Sequence, residues 1–138
     1  MKYFLVGSFF VSVLTGQSGY DIAKKLDEKE QPKDLTNRTS MVLTNSKGKT
    51  RTNTMISKSM DRNRRQMIWF LEPKDDKGVA FLKIEHDDGN DEMRMWLPAF
   101  KKVRRISSSK KSDSFMGSDL SYEDMTSREL SENTYNRL

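Results

Sequence analysis

His86 is the only histidine in this 138-residue chain, and there is no cysteine. A thiol nucleophile, a Cys-ligated zinc or Fe–S centre, a disulfide framework and a lipid-modified N-terminal cysteine are therefore excluded. A multi-histidine metal site is excluded too, and a histidine-based triad would have to use His86. His86 ends a candidate strand beside the acidic turn Asp87, Asp88, Asn90, Asp91 and Glu92. Spacing supplies it with no partner, so an exposed or structural histidine is expected. The acidic turn lacks the alternating carboxylates, central glycine and distal glutamate of a calcium loop, and reads as a solvated hairpin tip. Gly117-Ser118 follows Phe115-Met116, which is not the G-x-S-x-G of a nucleophile elbow. Asn37-Arg38-Thr39 is a glycosylation sequon, meaningful only in a eukaryotic secretory pathway. No catalytic residue, metal or cofactor is expected.

Two other features carry binding chemistry. One is charge. Lys+Arg outnumber Asp+Glu by 25 to 20, and the cations cluster at Arg62, Arg64 and Arg65 and at Lys101, Lys102, Arg104 and Arg105. Such clusters can follow phosphates of lipid headgroups or dock an acidic partner, or they can keep a sheet edge from pairing. The other is apolar. Met41, Met55, Met60, Met67, Met93, Met95, Met116 and Met125 share the chain with Trp69, Phe70, Phe81 and Trp96. Flexible thioethers adapt to variable apolar ligands, and they also fill plain cores.

The elements that must position these residues begin after an address label. Met1-Lys2 is a positive start, Tyr3–Thr15 is an apolar run, and Gly16, Ser18 and Gly19 are small. This is the layout of a secretory signal peptide, over 1–18, and the run is too short for a spanning helix. A periplasmic location follows, without nucleic acid as partner and without a stable membrane span after signal removal. The remaining 19–138 read as one domain. Tyr20–Glu30 is a short amphipathic helix with Ile22, Ala23 and Leu26 on one face. Strands are expected at Thr39–Thr44, Thr50–Met60, Arg62–Glu72, Val79–His86, Asp91–Leu97 and Lys101–Ile106, joined by turns such as Asn45-Ser46-Lys47-Gly48. Met93, Met95 and Leu97 alternate with Arg94 and Trp96, the period of a half-buried sheet. Ser121 and Asp124 have capping-box spacing. Six strands in meander order after one helix define an α+β fold. The sheet is expected to be strongly curved, antiparallel and half-barrel-like without closing, with a short helical or loop cover.

The strings Phe70-Leu71-Glu72-Pro73, Lys77-Gly78, Met95-Trp96-Leu97-Pro98, Arg104-Arg105-Ile106, Phe115-Met116-Gly117-Ser118-Asp119 and Tyr122-Glu123-Asp124 stand in order along the chain. Together they resemble the outer-membrane lipoprotein-sorting protein family, the LolA/LolB-like superfamily, over its N-terminal part. The resemblance implies an unclosed antiparallel barrel with an apolar cavity that carries acyl chains of lipoproteins across the periplasm. Members typically continue with further strands, so truncation at the C-terminus is expected. The branch resembled is not the classical carrier, and no catalytic residues carry over.

The expected function is a non-enzymatic carrier of lipoprotein or lipid acyl chains. Met41, Met55, Trp69, Leu71, Phe81, Met93, Met95 and Leu97 are the candidate lining. Lys101, Lys102, Arg104 and Arg105 are the candidate headgroup or partner contacts. A one-residue register error would exchange the faces of any strand. The alternatives are a soluble accessory binding protein of an inner-membrane transporter, without free lipid cargo, and an envelope hydrolase that depends on His86.

Overall fold

The computed structural model describes residues 17–87 and 89–137; all but the last two residues of the signal peptide expected at 1–18 lie outside them. The described chain divides into two compact units, one formed by residues up to Lys29 together with those from Glu129, the other by Glu30–Arg128.

The smaller unit holds helix α1, Gly19–Asp27. It starts where a capping box forms: the Asp21 amide donates to the Ser18 hydroxyl at 3.1 Å, and the Ser18 amide donates to the Asp21 carboxylate at 3.0 Å. Those bonds satisfy two of the amide groups that a helix start leaves orphaned. The carboxylate is held below its ordinary range by the Ser18 side-chain and backbone hydrogen bonds. The helix stops short of the expected Glu30. Tyr20 stacks edge-on with Tyr135 at 6.2 Å. Gly19 is needed there, since a Cβ would come within 2.7 Å of the Tyr135 carbonyl oxygen.

The larger unit is a six-stranded antiparallel meander in the order β1 to β6. Its strands are β1 Asp34–Thr44, β2 Thr50–Met60, β3 Arg65–Glu72, β4 Ala80–Ile84, β5 Glu92–Leu97 and β6 Lys102–Ile106. The sheet does not close, and β1 and β6 are its edges. This is the α+β, half-barrel-like architecture that the alternation implies. The largest differences from the expected boundaries are two, while β4, β5 and β6 are trimmed by one or two residues at one or both ends. β1 begins earlier, because Asp34–Arg38 pair in register with Met60–Ile56 despite their polarity. β3 begins later, because Asp61, Arg62 and Asn63 take left-handed backbone angles (φ 55°, 53° and 67°) in the β2–β3 turn. A bulge shifts the β2–β3 register between Thr54 and Met55, so Leu71 has no partner of its own.

The core lies on one face of this sheet. Met55, Ile68, Phe70, Phe81, Met93, Met95 and Ile106 project there and are buried. After β6 the chain crosses the same face. Phe115 packs on Phe81 at 5.2 Å and on Phe70 at 6.2 Å, and Tyr122 lies 5.9 Å from Phe81. Ring pairs at such separations add to the area they bury. The segment that delivers them is held by its own polar groups. Ser118 donates its hydroxyl to the Phe115 carbonyl at 2.7 Å, the Phe115 amide donates to the Leu120 carbonyl at 2.7 Å, and Lys111 pairs with Asp91 at 2.9 Å. Met116 and Gly117 turn through φ 52° and 76°. The Ser121–Asp124 capping box forms as expected, ahead of a single 3-10 turn at Glu123–Met125.

Candidate functional site

Strand register sorts the side chains into two faces. Trp69, Ala80 and Trp96 stand directly opposite one another across β3, β4 and β5. The same row runs outward through Ile56 to Arg38 on one side and through Val103 on the other. The next row is Thr36, Lys58, Met67, Leu82, Arg94 and Arg105. These rows form the face opposite the core. Trp96 is 38% exposed and Val103 59%, while Ile56, Met67, Trp69 and Leu82 are half-buried. A continuous apolar band with two tryptophans is thus left open, with Lys58 and Arg38 at one margin and Arg94 and Arg105 at the other. Bands of this kind on a folded surface mark binding sites more often than idle surface.

The candidate lining read from the sequence divides between the two faces. Met41, Met55, Phe81, Met93, Met95 and Leu97 project into or pack against the core beneath Phe115 and Tyr122. Trp69 projects to the open face, and Leu71 is the extra residue of the bulge, where the alternation is interrupted. One lining cannot contain both sets, because successive side chains leave a strand on opposite sides. The open band instead joins Trp69 to Ile56, Met67, Leu82 and Trp96. Their signal was the register set by the short turns, read across strands rather than along them.

A groove of about 440 Å³ opens at the β1–β3 end of this face, lined by residues 34–36 of β1, 58–60 of β2 and 65–67 of β3, with Asp34, Lys58, Met60, Arg65 and Met67 among them. Its size falls in the range of small-molecule sites. On the core face, a smaller cavity of about 250 Å³ lies among Leu35, Asn37, Ser59 and Gln66.

Lys101, Lys102, Arg104 and Arg105 are all exposed along edge strand β6. They do not share one direction. Lys102 and Arg104 pair with Leu97 and Met95 on the core face, Arg105 pairs with Arg94 on the open face, and Lys101 caps the preceding 3-10 turn with φ 47°. His86 is exposed, and Ser118 is committed to the Phe115 carbonyl. Among the described residues no group of acidic or histidine side chains could hold a metal ion, and no helix is long and apolar enough to cross a membrane.

The core face also buries charge. Lys83 is fully buried and its ammonium pairs with Glu85 at 2.6 Å, while Glu85 accepts the Ser127 amide at 2.9 Å. The Gln66 amide opposite Lys83 donates to Ser57 at 3.1 Å. The Lys83–Glu85–Ser127 links tie the covering segment to β4, while the Gln66 side-chain oxygen is buried without a partner.

An unclosed antiparallel half-barrel with a plugged face and an open apolar face defines a class of binding scaffold. Comparisons with known proteins narrow it. A family model described only as "Uncharacterized protein" matches residues 62–138. A domain from Vibrio parahaemolyticus, named for outer membrane lipoprotein sorting, superposes with a TM-score of 0.72 at 35% identity, covering 81% of this chain and 49% of that one. A DUF1329 family protein from Desulfovibrio piger gives a TM-score of 0.70 at 33% identity, covering 79% and 48%. No curated protein matches the chain. The chain belongs to the LolA-like outer-membrane lipoprotein-sorting family. It spans about half the length of these solved relatives.

Proposed function

We propose that the protein is a non-enzymatic carrier in the cell envelope, exported to the periplasm, that binds acyl chains of a lipoprotein or lipid. The observation that carries this reading is the open band of Ile56, Met67, Leu82, Trp69 and Trp96, facing away from a core that already has its own cover. Each methylene that leaves water for such a surface contributes about 0.8 kcal/mol, so a chain laid along the band would be held without any covalent step. The family supports the reading, since its Vibrio member is named for lipoprotein sorting. Native mass spectrometry on protein purified gently from the periplasm tests it. Adduct masses that fragment to acyl chains would support the carrier function. A clean apo mass from folded protein, unchanged after incubation with lysolipid, would refute it.

A second reading is an accessory binding protein of an inner-membrane transporter. The exposed cations of β6, on an unpaired sheet edge, favour it. Co-purification separates the two, because an accessory protein would come out with a membrane complex and without acyl mass.

A further inference from the structure

We infer that the 440 Å³ groove at the β1–β3 end of the open face is an anionic headgroup site, and that its occupant is the phosphate group of a phospholipid whose acyl chain lies along the tryptophan band. The inference deepens the proposed function and rests on it.

The groove is continuous with the band: Met67 lines it and stands in the row next to Trp69. Met60 and Met67 give its lining an apolar part, as a glycerol backbone and the first methylenes require. Its charge is basic. The register sets Lys58 opposite Met67 and Arg65 opposite Met60, so the two cations are diagonal neighbours on one face. Diagonal pairs lie about 7–8 Å apart at the backbone, within reach of long side chains. Both are exposed, and among the described residues neither has an ion-pair partner. Arg64 differs, since Asp87 engages its guanidinium. Asp34, opposite Met60 on β1, is the one carboxylate lining the groove. Two cations against one carboxylate leave a positive site. It would take one phosphodiester, with Arg65 offering a fork of N–H donors and Lys58 a point charge. At the far margin Arg94 is paired with Glu92 at 2.5 Å, while Arg105 stands opposite Arg94.

The test compares two single-chain probes, myristoyl-lysophosphatidylglycerol and monomyristoylglycerol, each kept below its micelle concentration and titrated calorimetrically. The full chain is expected to bind the phosphate-bearing probe about fivefold to tenfold more tightly at low salt, with the difference shrinking at high salt. The K58Q/R65Q variant should lose that preference and still bind the uncharged probe. A variant neutralised at Lys101, Lys102, Arg104 and Arg105 should keep it. Equal affinity of the full chain for both probes would overturn the headgroup site and leave the acyl-carrier reading standing, and so would a preference retained by K58Q/R65Q. Failure of the folded full chain to bind either probe would overturn both.

Discussion

The two faces of the sheet have similar composition and opposite fates. One carries Met55, Phe70, Phe81, Met93 and Met95, and the other Ile56, Met67, Trp69, Leu82 and Trp96. The first is covered by a segment that the chain itself supplies, with Phe115 and Tyr122 as the contact. The second has no such cover among the described residues of its unit. Apolar composition therefore does not distinguish core from site in this fold. What distinguishes them is whether a distant segment returns to the face. The motif around Phe115-Met116-Gly117-Ser118 shows this directly. Its work is to hold one ring against Phe70 and Phe81.

The comparison breaks most visibly at Phe81. Its replacement by alanine empties the centre of the closed face and is expected to cost about 3–5 kcal/mol in denaturant unfolding. A loss below about 1 kcal/mol would show that the cover is not tightly packed. Next comes Lys83→Ala, which leaves the Glu85 carboxylate without its buried partner. About 3 kcal/mol should be lost, again with no direct effect on a ligand of the other face. The mirror experiment is the W69A/W96A double variant. Stability should fall by less than for Phe81→Ala, since Trp69 is half-buried and Trp96 exposed, while affinity for a lysolipid should fall roughly tenfold. If the double variant unfolds instead, the open face is part of the core and the distinction fails.

The smallest expected effect concerns pH. Burial pushes the Tyr122 hydroxyl above its ordinary value of 10.0, with Arg104 opposing and Asp113 adding to the shift. The fold favours the neutral phenol, so this contribution is fully present below pH 10 and is lost as pH rises beyond it. Tyr122→Phe should flatten the alkaline limb of a stability–pH curve measured by circular dichroism. An unchanged limb would mean that the phenol is solvated on both sides of unfolding.

Much of this architecture was legible in the residues. The hairpin at Asn45–Gly48, the β2 range and the alternation of β5 follow from turn chemistry and period-2 patterning. The early start of β1 was hidden, because Asp34, Asn37 and Arg38 are poor strand formers that pair only because β2 runs beside them. The site was half legible. Methionine and aromatic content pointed to two faces at once, and a list drawn from residue type mixed them. Cross-strand rows settle which tryptophan shares a side with which methionine, and the covering segment settles which side is closed. Both are non-local facts. Of the groove cations, Arg65 stands out in the cluster with Arg62 and Arg64, and Lys58 joins it only through the β2–β3 register.

The chain contains two tryptophans, and both stand in one row of the open face with Ala80 between them. The buried face holds only phenylalanine and tyrosine among its rings. Nature has in effect separated two optical channels by a single sheet. Indole emission looks out from the face proposed to meet lipid, while the phenol of Tyr122 sits in the core. A blue shift of tryptophan fluorescence without a change in tyrosine dichroism would be a ligand arriving. The reverse would be the cover lifting from its own side.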